Sequence, residues 1–187
     1  KLGWYEIDLS PTFKLFDKCD ALPQSKILIA GAGSTTLVDE LLDKSFDNLI
    51  ATDISEVSLN KLVERIGPNK IETIVDDLSQ PEKLNSIDPV AIWIDRAVLH
   101  FLIEENDQNT YFELLKSKLK PGGFTLFAEF TVGGATQCCG LPIQQYENHQ
   151  FAEKLGSDFK MVDTFEHTYY NPNGDPRKYI YSLFQRN

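Results

Sequence analysis

Lys26-Ile27-Leu28-Ile29-Ala30-Gly31-Ala32-Gly33-Ser34 is a short apolar run that ends in a glycine loop. Four apolar residues bounded by Gly read as a buried strand. Leu37-Val38 and Leu41-Leu42 then repeat at helical spacing, which predicts a helix beginning near Ser34. A strand entering a helix through glycines lets a ligand approach the backbone closely, at a helix start where N–H groups are unpaired. On its own the Gly31-Ala32-Gly33 loop also fits a tight turn between a strand and a helix.

Downstream the same alternation continues. Leu49–Thr52 is a second strand stopping at Asp53. Ser55 is a candidate N-cap for a helix carrying Val57, Leu59, Leu62, Val63 and Ile66, which Gly67-Pro68 ends. Ile71–Val75 is a third strand, followed by Asp76-Asp77, and Val90–Ile94 a fourth, followed by Asp95. Asn109–Leu119 reads as a helix stopped by the turn Pro121-Gly122-Gly123, and Phe124–Phe130 as a fifth strand. Such alternation implies an α/β fold with a parallel sheet and helices on both faces. The tail departs from it. Phe159–Phe165 and Tyr179–Phe184 are strand patterns joined by Asn171-Pro-Asn-Gly-Asp-Pro176, with no helix between them, so they form an antiparallel hairpin.

The chain has 187 residues, 42% apolar and 25% charged, which is the size and composition of one globular domain spanning 1–187. Within it, 1–25 is an N-terminal cap segment and 131–150 a loop on the substrate side. No stretch has the length of a membrane span. Eighteen basic against 28 acidic residues give a net charge of −10, which disfavours a nucleic-acid partner. Cys19, Cys138 and Cys139 make neither a disulfide framework nor a zinc site and suggest a reducing, cytoplasmic setting; two thiols alone are a weak signal for a soft metal or thiol chemistry at Cys138-Cys139.

Strand ends are where ligands bind in such sheets. Asp53 follows Gly31 by 22 positions, the placement of a carboxylate that accepts hydrogen bonds from ribose hydroxyls. With this spacing, the sequence resembles the class I S-adenosylmethionine-dependent methyltransferases. The resemblance is carried by Ile27-Leu-Ile-Ala-Gly-Ala-Gly-Ser34, Ala51-Thr-Asp-Ile-Ser55, Val75-Asp-Asp-Leu78, Trp93-Ile-Asp-Arg-Ala-Val-Leu-His-Phe-Leu102 and Leu119-Lys-Pro-Gly-Gly123. It implies a Rossmann-like, seven-stranded, mostly parallel sheet whose last strand is antiparallel, and S-adenosyl-L-methionine as cofactor. It assigns Gly31, Ala32 and Gly33 to the cofactor's methionine and ribose, and Asp53 to the ribose hydroxyls. Ile54 is assigned to the adenine face, the Asp76-Asp77 pair and Leu78 to the adenine edge, and Asp95 to the methionine end or the acceptor. One position departs: the family commonly has an acidic residue two before the first glycine, and here it is Ile29. A buried isoleucine packs well in a strand; the sharper reading is weakened cofactor affinity or a cofactor-binding protein without activity.

The acceptor side is less defined. Trp4 and Tyr5 either clamp the chain end onto the core or cover the pocket. The 131–150 segment, rich in Gly and small residues, reads as a mobile lid, with Cys138-Cys139 either lining a pocket or packing against Tyr146. Arg96 and His100 would share a face if a helix starts after Asp95. Asp95 and His100 are the candidate bases, His100 equally a partner of a backbone group, and His167 a further pocket candidate. The DRAxxHFL-like stretch and the Cys-x-Gly-Leu-Pro loop look like a bacterial group of small methyltransferases, a group that also resembles eukaryotic protein-lysine methyltransferases. The expected acceptor is therefore a small molecule, with a protein lysine as the alternative. A nicotinamide dinucleotide fits less well, because the loop reads Gly-x-Gly-x-x-Thr and the chain closes in a hairpin.

Overall fold

A computed structural model describes residues 8–170 and 174–187; Trp4 and Tyr5 lie outside them. The apolar runs become strands β1 (Ile27–Ala30), β2 (Leu49–Asp53), β3 (Glu72–Val75), β4 (Val90–Arg96) and β5 (Leu119–Phe130). Helices α1 (Ser10–Phe16), α2 (Leu37–Asp43), α3 (Glu56–Ile66), α4 (Glu105–Lys118) and α5 (Asn148–Leu155) join them. The tail forms β8 (Phe159–Tyr170) and β9 (Pro176–Arg186), after a small ribbon of β6 (Gln137–Cys138) and β7 (Leu141–Pro142).

The large sheet has seven strands in the order β3-β2-β1-β4-β5-β9-β8. Strands β1 to β5 pair in parallel, and β9 enters antiparallel between β5 and β8. This is the mostly parallel sheet with an antiparallel last strand that the sequence implies. The winding direction reverses between β1 and β4, which places the ligand crevice at their carboxyl ends.

Side-chain alternation along the strands divides the core into two layers. Ile27, Ile29, Ala51, Ile94 and Leu126 pack with α1, α2 and α3. Leu28, Ile50, Trp93 and Phe127 pack with α4 and α5 on the opposite face. Ser55 caps α3 as its sequence position suggests, its Oγ accepting from the Ser58 N–H at 3.3 Å, and Gly67 closes that helix at φ 92°. The α3 stripe is narrower than its apolar residues imply: Leu59 and Leu62 are buried, while Val57 faces solvent.

Three features differ from the sequence reading. Helix α2 starts at Leu37, three residues later than expected, because Thr35 and Thr36 still belong to the glycine loop. Pro121-Gly122-Gly123 is not a separate turn but a bulge within β5. Between Val90↔Leu119 and Ile92↔Phe124, an advance of two residues on β4 meets five on β5. Gly123 is required there, since an added Cβ would stand 2.8 Å from the Ala91 carbonyl. The expected lid is folded as well. Cys139 and Gly140 turn the β6–β7 ribbon with φ 54° and 81°, Thr131 bridges Tyr146, and α5 occupies the end of the segment.

Candidate active site

The strand ends of β1, β2, β3 and β4 converge on one pocket of about 440 Å³, within the range of small-molecule sites. The glycine loop forms its first wall. Gly31 and Gly33 adopt φ of 55° and 51°, and Gly33 donates its N–H to Asp53 Oδ2 at 2.8 Å. Asp53 Oδ1 accepts from the Ser55 N–H at 2.8 Å. The carboxylate is thus fixed in orientation while still lining the pocket. Ile54, beside it, is 70% exposed at the rim, an apolar surface open to a flat ligand face. Leu78 closes the other flank.

Asp76 and Asp77 look equivalent in sequence but do different work. Asp76 staples the link to β4, accepting from the N–H groups of Asp77, Glu82 and Leu84 at 3.1, 3.2 and 2.8 Å. Asp77 Oδ1 takes the Ser79 N–H and hydroxyl at 2.8 and 2.7 Å, which aims its carboxyl at the pocket edge.

The floor is the turn after β4. Ala97 sits at φ 65°, and the Val98 side chain presses onto the glycine loop so closely that a Cβ on Gly31 would stand 1.9 Å from Val98 Cγ2. Gly31 is therefore fixed by packing as well as by backbone conformation. A 3₁₀ turn follows over Leu99–Phe101. Because Arg96 ends a strand and His100 lies in this turn, the two do not share a helix face. Arg96 lines the pocket.

Asp95 and His100 do not. Asp95, Glu129 and His100 are each 0% exposed, and together they form a network beneath the floor. Asp95 Oδ1 and Glu129 Oε1 both accept from the N–H groups of Val98, at 3.1 and 3.3 Å, and of Leu99, at 3.4 and 3.2 Å. Glu129 Oε2 lies 2.6 Å from His100 Nδ1 and accepts the His100 N–H at 3.3 Å. Tyr111 donates to Asp95 Oδ2 at 2.6 Å and receives the Trp93 Nε1–H at 3.0 Å. Burial, then the neighbouring Glu129 charge, pushes Asp95 well above the usual carboxylate range. Burial pushes Glu129 up to about 7 and holds His100 down to about 4. The reading of Asp95 and His100 as bases facing the acceptor does not fit these positions. His100 is instead a partner of a carboxylate and a backbone turn.

Beyond Arg96 the pocket runs along the closing hairpin, where Tyr169, Tyr179 and Tyr181 form an aromatic wall with Phe101. None of these was a candidate from sequence. Tyr179 and Tyr181 are two apart on β9 and so share a face, a signal that also marks an ordinary core strand. His167 is two positions from Tyr169 on the same face of β8, its ring 6.1 Å from Tyr181, but it is outside the pocket lining. Cys139 reaches the pocket, whereas Cys138 is buried, and burial followed by the adjacent Cys139 raises its thiol to about 12. The Cys138 thiol donates to Cys139 Sγ at 3.9 Å, and both cysteines are free thiols.

No family model and no curated protein matches the sequence. Solved structures do match in fold. An S-adenosylmethionine-dependent methyltransferase from Anabaena variabilis superposes with a TM-score of 0.79 at 15% identity, covering 100% of this chain and 87% of that one. A second, from Methanosarcina mazei, gives 0.77 at 14% identity over 96% and 99%. The 1,6-didemethyltoxoflavin-N1-methyltransferase of Burkholderia thailandensis, solved with bound 1,6-didemethyltoxoflavin and S-adenosylhomocysteine, gives 0.72 at 17% identity over 95% and 76%. The chain has the Rossmann-like fold of these S-adenosylmethionine-dependent methyltransferases.

Proposed function

We propose that the protein is an S-adenosylmethionine-dependent methyltransferase acting on a small-molecule acceptor by in-line displacement. The observation that carries this reading is the convergence of Gly31–Gly33, Asp53, Ile54 and Asp77-Leu78 on one pocket beside a second, aromatic compartment. The residues present fit the cofactor. An adenine would lie between Ile54 and Leu78 with Asp77 at its edge, Asp53 would accept from the ribose hydroxyls, and the Gly31–Gly33 backbone would lie along the methionine portion. When bound, the cofactor supplies an electrophilic methyl on a sulfonium, so the chain's own task is to orient the acceptor and exclude water.

Tyr169, Tyr179, Tyr181 and Phe101 are suited to hold a flat acceptor in line, and Arg96 is suited to an acceptor group that is neutral or negative. With His100 and Asp95 sealed away, the acceptor supplies its own lone pair. A cationic lysine is the less favoured alternative, because the acidic residues Asp53, Asp76 and Asp77 lie at the other end of the pocket from the hairpin. The absence of an acidic residue at Ile29 leaves the cofactor's amino group to be bound by other groups. Among the described residues, no helix is long and apolar enough to cross a membrane.

Calorimetry against S-adenosylmethionine, S-adenosylhomocysteine and NAD tests the cofactor. Binding of the two adenosyl compounds and not NAD is expected; binding of NAD alone overturns the reading. A radiolabelled-methyl screen of aromatic thiols, carboxylic acids, heteroaromatic amines and lysine peptides then identifies the acceptor class. Labelling confined to lysine peptides would replace the small-molecule assignment.

A further inference from the structure

We infer that the buried Asp95–Glu129 pair, holding one negative charge under the Ala97–Val98 floor, makes the pocket prefer the sulfonium of S-adenosylmethionine to the neutral thioether of S-adenosylhomocysteine. This rests on the cofactor reading above and adds a determinant that the pocket lining does not contain.

The geometry sets the charge of the pair. Two carboxylates that converge on the same two N–H groups, both wholly buried, cannot both ionise, so they share one proton and carry one charge between them. The groups facing them do not cancel that charge. From α4 comes the Tyr111 hydroxyl, from β4 the Trp93 indole N–H, and from the 3₁₀ turn the His100 imidazole, which burial keeps neutral. Cys138 of β6 and Tyr146 also feel Glu129, and burial keeps both protonated. All of these are neutral dipoles. Arg96 is the next residue after Asp95, but strand alternation turns it into the pocket wall.

Dry protein screens such a charge weakly, so its field reaches through the single backbone layer of Ala97 and Val98. Both ligands carry the same adenosine, amino and carboxyl groups; they differ in the methyl and in the charge on sulfur. Once the methyl has left, the attraction ends, which favours exchange of product for fresh cofactor.

The test is the ratio of the two affinities, measured by calorimetry on the full chain between about pH 5.5 and 8. At the upper end S-adenosylmethionine should bind more tightly, and the preference should shrink about fivefold or more as pH falls through about 7, where Glu129 takes up a second proton. Asp95→Asn should keep the preference, because the charge stays on Glu129. Asp95→Asn with Glu129→Gln should abolish it while S-adenosylhomocysteine affinity stays within about threefold. A merely structural role would weaken both ligands together. A ratio flat with pH, or equal losses for both ligands in the double variant, overturns the proposal. If the double variant does not fold, the pH series on the unaltered protein decides. Failure to bind either ligand would instead remove the cofactor reading itself.

Discussion

Asp53 and Asp77 end two strands on the rim of the pocket, while Asp95 and Glu129 end two others beneath its floor. All four are carboxylates at or near strand ends, yet their surroundings give them opposite tasks. The rim pair is partly solvated, and each is oriented by short local bonds to residues two positions on, Ser55 and Ser79. The floor pair is wholly buried and draws its partners from α4 and the turn after β4. A rim carboxylate is available to a ligand. A floor carboxylate is held by a network and fixes the turn it caps. Position in the sheet nominates a site residue; desolvation decides what it does.

The two pairs should respond differently to perturbation. The largest effect is expected at their junction: Gly31→Ala forces a Cβ into Val98 at a left-handed backbone position, and should cost about 4 kcal/mol in urea unfolding. A loss under 1 kcal/mol would mean that floor and rim are not rigidly joined.

Next comes pH. Asp95 and Glu129 have raised pKa values, so the folded protein keeps protons that the unfolded chain has lost, and their stability contribution falls as pH rises through and above the range from 4.5 to about 7. His100, lowered from 6.5 to about 4, opposes this between those values, because there only the unfolded chain is protonated. Its effect ends above 6.5. Urea unfolding should therefore show the protein less stable at pH 8 than at pH 6, by about 2 kcal/mol. A rise over that interval would show the floor pair to be ionised throughout.

Tyr111→Phe leaves Asp95 Oδ2 without its donor and the Trp93 indole N–H without an acceptor. A stability loss of about 1.5 kcal/mol is expected, with S-adenosylhomocysteine affinity changed far less than by a rim substitution. Asp53→Asn should do the reverse, weakening that affinity about tenfold while changing unfolding by less than about 1 kcal/mol. The smallest effect is expected at Ile54→Ser, about threefold in affinity with no change in thermal unfolding, since the side chain is exposed.

The rim was legible in the sequence because its parts are local. Strand, glycine loop, helix and the next strand-end aspartate follow one another over 27 residues from Ile27 to Asp53, and Ser55 marks its helix by type and place. The hairpin was legible through its alternation and turn residues. The floor was not, because its members are brought together by parallel pairing of β4 with β5. Glu129, in Phe127-Ala-Glu-Phe130, carries the one available signal: a charge at an inward position of an apolar strand. Helix α5 escaped notice because it buries only Phe151 and Leu155, too sparse a stripe among polar neighbours. Helix α1 is seven residues long and gives no sustained period.

The hairpin β8–β9 joins the sheet along a single strand boundary, β5 to β9, and its tyrosines furnish the compartment beyond Arg96. The loops proposed to address the adenosine belong to β1, β2 and β3, on the far side of the crevice. On the proposed function, recognition of the two reactants is divided between separate stretches of chain, so the hairpin wall could be rewritten in the laboratory, or by descent, while the half assigned to the common reagent stayed unaltered.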